Sequence, residues 1–299
     1  MKQKVALVLS SGGARGVAHI GVIEAIAECG MEIHSISGSS IGALIGGIYA
    51  TGHLEEYKKW ICELKKYDVF SLMDFSFSGN GLIKGERVFK ELEKFFSDVN
   101  IEDLPIDFKV SATDLISKSQ IVYDQGSIID AIRASVAIPT VLQPVYTNNQ
   151  LLVDGGVINP LPINAVKRID GDILVAVNVN AHVPYIKSEK KEELQKEQEY
   201  EGHINFFRQK LMEMISWQKE SETKKLGFFD LLTESIDLMQ DRICSSILNE
   251  HRPHILVNLS KDSAGVFEYY RSERIIKEGK EAFKEQCRKY RKSVYQNEK

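Results

Sequence analysis

Residues 33–50 read IHSISGSSIGALIGGIYA, and how they parse decides the fold. Ile33 to Ser37 forms a short strand, Gly38-Ser39-Ser40-Ile41-Gly42 turns, and Ala43 to Ala50 reads as a helix. A GxSxG at a strand-to-helix transition is the place where a strained turn lifts a serine hydroxyl out of a sheet. Gly38 and Gly42 relieve crowding around such an elbow. The following Ala43, Gly46 and Gly47 let the helix pack closely behind it. The pattern occurs by chance in many chains, so its weight comes from its position at the end of a predicted strand.

Upstream, Lys4 to Ser10 (KVALVLS) is a nearly continuous apolar run suited to a buried parallel strand. A glycine turn follows, then an amphipathic run from Val17 to Cys29, with Gly30 where a helix stop belongs. Strand, helix, strand, helix within the first 50 residues is the signature of a parallel α/β sheet. Downstream, strands are expected at Phe108–Thr113, Ser119–Tyr123, Leu151–Val153, Asp172–Asn178 and His254–Leu259. Helices are expected around Lys84–Phe96, Ser127–Val136 and Ile163–Arg168. Lys187 to Glu201, dense in Lys, Glu and Gln, reads as a solvated helix or loop. The chain then runs helically to about Asn249, and Ser272 to Tyr290 closes it. With no internal repeat and no linker, the expectation is a single domain over residues 1–299. It has a core at about 4–180, a helical insertion at about 185–250 and a closing strand and helix at about 254–290. The fold class is α/β: a three-layer α/β/α arrangement with a mostly parallel central sheet.

The chain has 299 residues, 43% of them hydrophobic and 27% charged, with a formal net charge of −4. That suits a soluble protein with a sizeable core and gives no global attraction to nucleic acid or anionic lipid. Cys29, Cys62, Cys244 and Cys287 are scattered without metal-ligand spacing, so free thiols in a reducing compartment are expected. The apolar run Val5 to Leu9 is too short for a signal-peptide core, and nothing approaches the ~20 apolar residues of a spanning helix. A cytoplasmic protein, at most peripheral to a membrane, is the expectation. No metal and no organic cofactor is implied.

Two further pieces carry chemistry. Ser11-Gly12-Gly13-Ala14-Arg15-Gly16 lies between a strand and a helix, where successive N–H groups converge beside a helix N-terminus. Such a nest takes a phosphate or the oxyanion of a tetrahedral acyl intermediate, or it is a bare tight turn. A dinucleotide site wants Gly where Ser11 stands and an acidic residue about 20 positions on. The second strand ends instead in Ser37-Gly38-Ser39-Ser40, and a Walker Gly-Lys-Ser/Thr is missing. The nucleotide readings fall. Leu151-Leu152-Val153-Asp154-Gly155-Gly156 is an apolar strand delivering an aspartate to a glycine turn; taken alone it is an ordinary Asp-Gly turn. Loops at the carboxyl ends of neighbouring parallel strands open onto one crevice. The nest and Ser40 would then share a site, as an acyl hydrolase requires.

SSGGARGVAHIGV (10–22), GSSIGALIGG (38–47) and LVDGGVINPLP (152–162) together resemble the patatin-like phospholipases, particularly their small bacterial members. ASVAIPTVLQPV (134–145) is similar to the family's proline-containing block. The resemblance spans roughly residues 4 to 180 and implies a patatin-like fold with a Ser–Asp dyad and no catalytic histidine. By motif position, Ser40 would be nucleophile and Asp154 base. The N–H groups of Gly12, Gly13, Ala14 and Arg15 would supply the oxyanion hole, and Gly155 and Gly156 the turn. The implied substrate is a lipid or another acyl ester, with peripheral membrane contact and homo-oligomerisation left open. Family members usually carry Gly where this chain has Ser11. A serine reaches positive φ at a cost, so a differently shaped loop is expected there.

Four histidines follow Asp154, and His182 beyond a predicted strand is the one that a Ser…Asp…His triad would use. An α/β-hydrolase elbow, however, follows several strands rather than the second. His19 reads as a packed or capping residue. Arg15 would either steer a phosphate head group or anchor the loop. The Phe-rich segment Phe70–Phe77 with Ser78–Gly81, the stripe from Phe206 to Trp217 and the stripe from Phe228 to Ile236 are candidate lids, acyl channels or core faces. Lys210, Lys219, Lys224 and Lys225 would suit a lipid surface. Rival readings are a generalist esterase or thioesterase and a catalytically silent lipid- or protein-binding module.

Overall fold

Val5, Leu7 and Leu9 point to one face of the first strand and Ala6 and Val8 to the other, and all five are buried. A strand covered on both faces belongs in the middle of a parallel sheet. In the computed structural model, which describes residues 2–72, 74, 84–96, 99–147, 149–185 and 228–297, it lies there. β1 (Gln3–Leu9) pairs in parallel with β2 (Met31–Ser39) on one side and β7 (Ile173–Ala181) on the other. β8 (Ile255–Ser260) continues in parallel beyond β7, and β3 (Asp107–Asp114) beyond β2. Three strands joined by antiparallel pairing finish the sheet: β4 (Ser119–Tyr123) and β6 (Gln150–Asp154) on β3, and β5 (Val145–Thr147) on β6.

Helices flank both faces. The Val5–Leu7–Leu9 face packs against α1 (Ala18–Glu28), α2 (Ile41–Ala50), α3 (Leu54–Glu63), α5 (Glu86–Phe96), α6 (Ile128–Ser135) and α8 (Ser272–Asn297). On the other face Ala6, Val8, Leu174 and Ala176 meet Leu161, Ile163, Val166 and Cys244 of α7 (Phe228–Glu250). The small side chains on that face admit a close second layer. α1 and α8 approach backbone to backbone: a Cβ on Gly21 would lie 1.9 Å from the Ile276 carbonyl oxygen, and one on Gly279 would lie 2.2 Å from that of Ala18.

The expected strands are present, joined by the three-residue β5, too short to give a periodic signal. Ile163–Arg168 is not a helix but a single 3-10 turn, Ile163–Ala165, ended by extended backbone at Val166. α3 and α4 (Lys66–Leu72) were not anticipated, although Leu54, Tyr57 and Ile61 of α3 are buried at helical spacing. α4 makes the start of the Phe70–Phe77 segment helical; most of that segment, Ser78–Gly81, Lys187–Glu201, the Phe206–Trp217 stripe and the four lysines lie outside the described residues. The chain divides into two compact units, Met1–Pro184 with Ile236–Lys299, and Tyr185–Ser235. All four cysteines are free, Cys244 and Cys287 buried and the others half-buried. Among the described residues no helix is long and apolar enough to cross a membrane.

Candidate active site

Strand register explains how two residues 114 positions apart meet. β4 occupies one edge of β3 along Val110–Asp114. The opposite edge is shared: β2 pairs with it as far as Ser39↔Ser111, and β6 takes over at Asp154↔Ala112. The two strands therefore run toward each other along the same edge and collide at their carboxyl ends. Each must leave the sheet there, and the residues at the junction are Ser40 and Asp154. Gly155 fits because a Cβ would lie 2.1 Å from the Ser111 carbonyl oxygen.

Ser40 turns out with φ 55° and ψ −124°, a region costly for a residue with a Cβ, by about 1–3 kcal/mol. Its N–H donates to Ser135 Oγ at 2.8 Å, and Ser135 donates in turn to the Ser111 carbonyl at 2.6 Å, which pins the elbow to β3. Its two glycines are required by packing. A Cβ on Gly38 would lie 2.5 Å from the Ala43 nitrogen, and one on Gly42 would lie 2.2 Å from the Leu9 carbonyl oxygen. The hydroxyl sits at the N-terminus of α2, where the helix dipole favours negative charge.

Ser40 Oγ donates to Asp154 Oδ2 at 2.5 Å. The other carboxylate oxygen accepts from the Gly156 N–H at 2.7 Å. Burial pushes the Asp154 carboxyl up to about 6, against the opposing pull of those two hydrogen bonds. A carboxylate with so few donors around it is a stronger base than an exposed one.

The glycine nest lies beside this pair, with φ 156° at Gly12 and 55° at Gly13. Ser11 does not take a positive φ, so the serine in place of the usual glycine meets no backbone penalty there, although its buried Oγ has no hydrogen-bond partner among the described residues. Among the described residues no acceptor takes the N–H of Gly12 or Gly13. Ala14 differs: its N–H donates to the Val266 carbonyl at 2.9 Å and is spent on holding the loop. Of the four N–H groups expected to line an oxyanion hole, that of Ala14 thus has an acceptor within the protein. Arg15 is buried, and its side chain donates to the carbonyls of Gly12 and Lys261 and faces Asp237 at 3.9 Å. Of its two readings, loop anchor is the one the contacts describe.

Histidines stand aside. His182 faces Asp241 at 3.7 Å and is half exposed. His19 is fully buried, its Nε2 donates to the Ser10 carbonyl at 2.9 Å, and burial lowers it to about 4, so it stays neutral.

Ser40 and Gly13 line a cavity whose empty space, open mouth included, is about 990 Å³. Its walls are apolar: Leu44 of α2, Tyr57 and Trp60 of α3, Val88 and Leu92 of α5, Leu142, and Phe267. Tyr269 also lines it, its phenol pushed up to about 12 by burial and by the nearby Asp154 charge. The α3 wall comes from a segment that sequence reasoning passed over; Val88 and Leu92 lie in the expected Lys84–Phe96 helix, Leu142 in the 134–145 block, and Leu72 of the Phe70–Phe77 segment lines the cavity too. The missed signal was the 3.6-residue spacing of Leu54, Tyr57 and Ile61 beside Trp60 and Leu64.

An elbow serine, a buried aspartate and a glycine nest on the carboxyl edge of a mixed sheet define a class of α/β proteins with a known family model. Residues 7–167, more than half of the chain, match the patatin-like phospholipase family, and the chain belongs to it. An uncharacterized NTE family protein of Mycobacterium bovis is 41% identical over 177 residues, 59% of this chain and 49% of that one. Neuropathy target esterase sws of Drosophila melanogaster is 30% identical over 184 residues, 59% of this chain and 13% of that one. The chain thus spans at most about half the length of these curated relatives. VipD from Legionella pneumophila shares the fold, with a TM-score of 0.56 at 16% identity, covering 97% of this chain and 67% of that one.

Proposed function

We propose that the chain is a serine hydrolase cleaving carboxylic esters of lipids, of the phospholipase A or lysophospholipase type, through an acyl-Ser40 intermediate. The observation that carries this is the 2.5 Å Ser40–Asp154 hydrogen bond on the floor of an apolar cavity. Ser40 Oγ attacks the ester carbonyl carbon while Asp154 takes its proton. The tetrahedral oxyanion accepts from the Gly12 and Gly13 N–H groups. Collapse breaks the bond to the alcohol, which leaves with the proton from Asp154. Water then attacks the acyl carbon, Asp154 again takes the proton, and Ser40 is restored as the fatty acid departs. The apolar walls receive the acyl chain, and membership of a lipid-hydrolase family supports the same class. Peripheral contact with a lipid surface is part of this proposal.

The test is turnover of short- and long-chain p-nitrophenyl esters, with labelling by a fluorophosphonate. We expect labelling and a preference for long chains. Val88→Trp, filling the wall from a half-buried position, should lower kcat/KM for long chains about 10-fold and leave short chains nearly unchanged. A chain-length profile that Val88→Trp does not move would place the acyl chain elsewhere. A folded chain that neither labels nor hydrolyses any ester, with lipid present, would leave a silent binding module.

A further inference from the structure

Successive carbonyls of the nest are each turned away by a named side chain. The Ser10 carbonyl is held by His19 and the Gly12 carbonyl by Arg15. Between them the Ser11 carbonyl accepts from Asn180 Nδ2 at 2.9 Å and from Ser10 Oγ at 3.0 Å. Ser10 Oγ itself accepts from the Val179 N–H at 3.1 Å, and Asn180 N–H donates to Asn178 Oδ1 at 3.0 Å. The end of β7 therefore clamps the loop that follows β1. Asn180 is buried, with 9% exposure, and its Oδ1 lies 2.9 Å from where a Cβ on Gly12 would stand.

A trans peptide is planar, and its C=O and N–H point in opposite directions. Fixing the Ser11 carbonyl on Asn180 thus fixes the direction of the Gly12 N–H, on the side where no acceptor among the described residues meets it. We infer that Asn180 is a positioning residue for the oxyanion hole: it aims the Gly12 N–H through the Ser11–Gly12 peptide without touching substrate. This rests on the hydrolase reading above, because it assigns Gly12 a transition-state charge to hold. Preorganisation of that donor is what a misaimed peptide would lose.

The experiment compares wild type with Asn180→Ala and Asn180→Asp; the second keeps the shape and removes the Nδ2 donor. Esterase kinetics are measured alongside the affinity of a long-chain trifluoromethyl ketone, which forms a tetrahedral adduct with the serine, and of a non-reacting ether analogue. We expect kcat to fall about 10- to 100-fold with KM changed less than about 2-fold. The ketone should weaken by the same factor as kcat/KM, and the ether should bind as before. A purely structural role would lower the thermal midpoint and disturb both ligands together. If wild type is active and either folded variant keeps its kcat and ketone affinity, the inference is overturned while the hydrolase reading stands. If wild type turns over no ester, the hydrolase reading fails and takes this inference with it.

Discussion

Ser40→Ala should lower ester turnover by a factor of about 10⁵–10⁶ and abolish fluorophosphonate labelling, with the fold retained. The expected loss is large because no second nucleophile replaces Ser40: among the described residues the cavity floor is Ser40 and a glycine, and the walls are apolar. The residual rate would come from the Gly12 and Gly13 donors acting on a bound ester. Alanine keeps the unfavourable φ of 55° at this position, so stability should change little. Ser40→Gly should be equally inactive yet more stable by about 1 kcal/mol, since glycine adopts that backbone without a Cβ clash. Intact-mass analysis after labelling and thermal midpoints for both variants check the two halves. Labelled Ser40→Ala protein would mean that another residue is the nucleophile, and the Ser40–Asp154 hydrogen bond would need another explanation.

How much of this was legible in the sequence follows from the range of the forces involved. β1, β2 and the elbow show themselves because strand burial and the GxSxG turn are local: Val5 to Leu9 must be apolar on both faces, and Gly38 and Gly42 must lack side chains. The meeting of Ser40 with Asp154 was legible only as an ordered set of motifs. Its physical cause, β2 and β6 sharing one edge of β3, is a property of pairing that no single segment displays. The fate of the Ala14 N–H depends on Val266, 252 positions away, and the aim of the Gly12 N–H on Asn180; neither contact leaves a periodic trace. An acyl channel was sought in stripes dense in Phe, and the cavity beside Ser40 does take Leu72 from the start of one of them. Much of its remaining wall is α3 and α5, whose many charged residues masked their apolar sides. The triad reading with His182 lacks what a triad needs, because that ring faces Asp241 rather than the Ser40–Asp154 pair.

Asp154→Asn should lower turnover by about 10³–10⁴-fold and at the same time stabilise the protein at alkaline pH. Activity falls because an amide in place of the carboxylate cannot accept the Ser40 proton. Stability moves the other way because burial raises this carboxyl from 3.8 to about 6. Between those values the folded state binds more protons than the unfolded one, so unfolding free energy declines as pH rises through the window. A rise of that size corresponds to about 3 kcal/mol of cost above pH ~7, absent below pH ~4. The neutral amide does not carry that cost. Asp154→Asn should therefore melt above wild type at pH 8, and the gap should narrow as pH falls through 6. In wild type, kcat/KM should rise with pH through an apparent value near 6, as the carboxyl ionises and becomes able to take the proton. On the proposed mechanism the buried carboxyl is held at the expense of stability, and the same titration governs both curves. If the variant's melting advantage is the same at pH 4 and pH 8, burial does not raise this carboxyl across that window; a folded Asp154→Asn that keeps wild-type turnover is what would overturn its proton-accepting role.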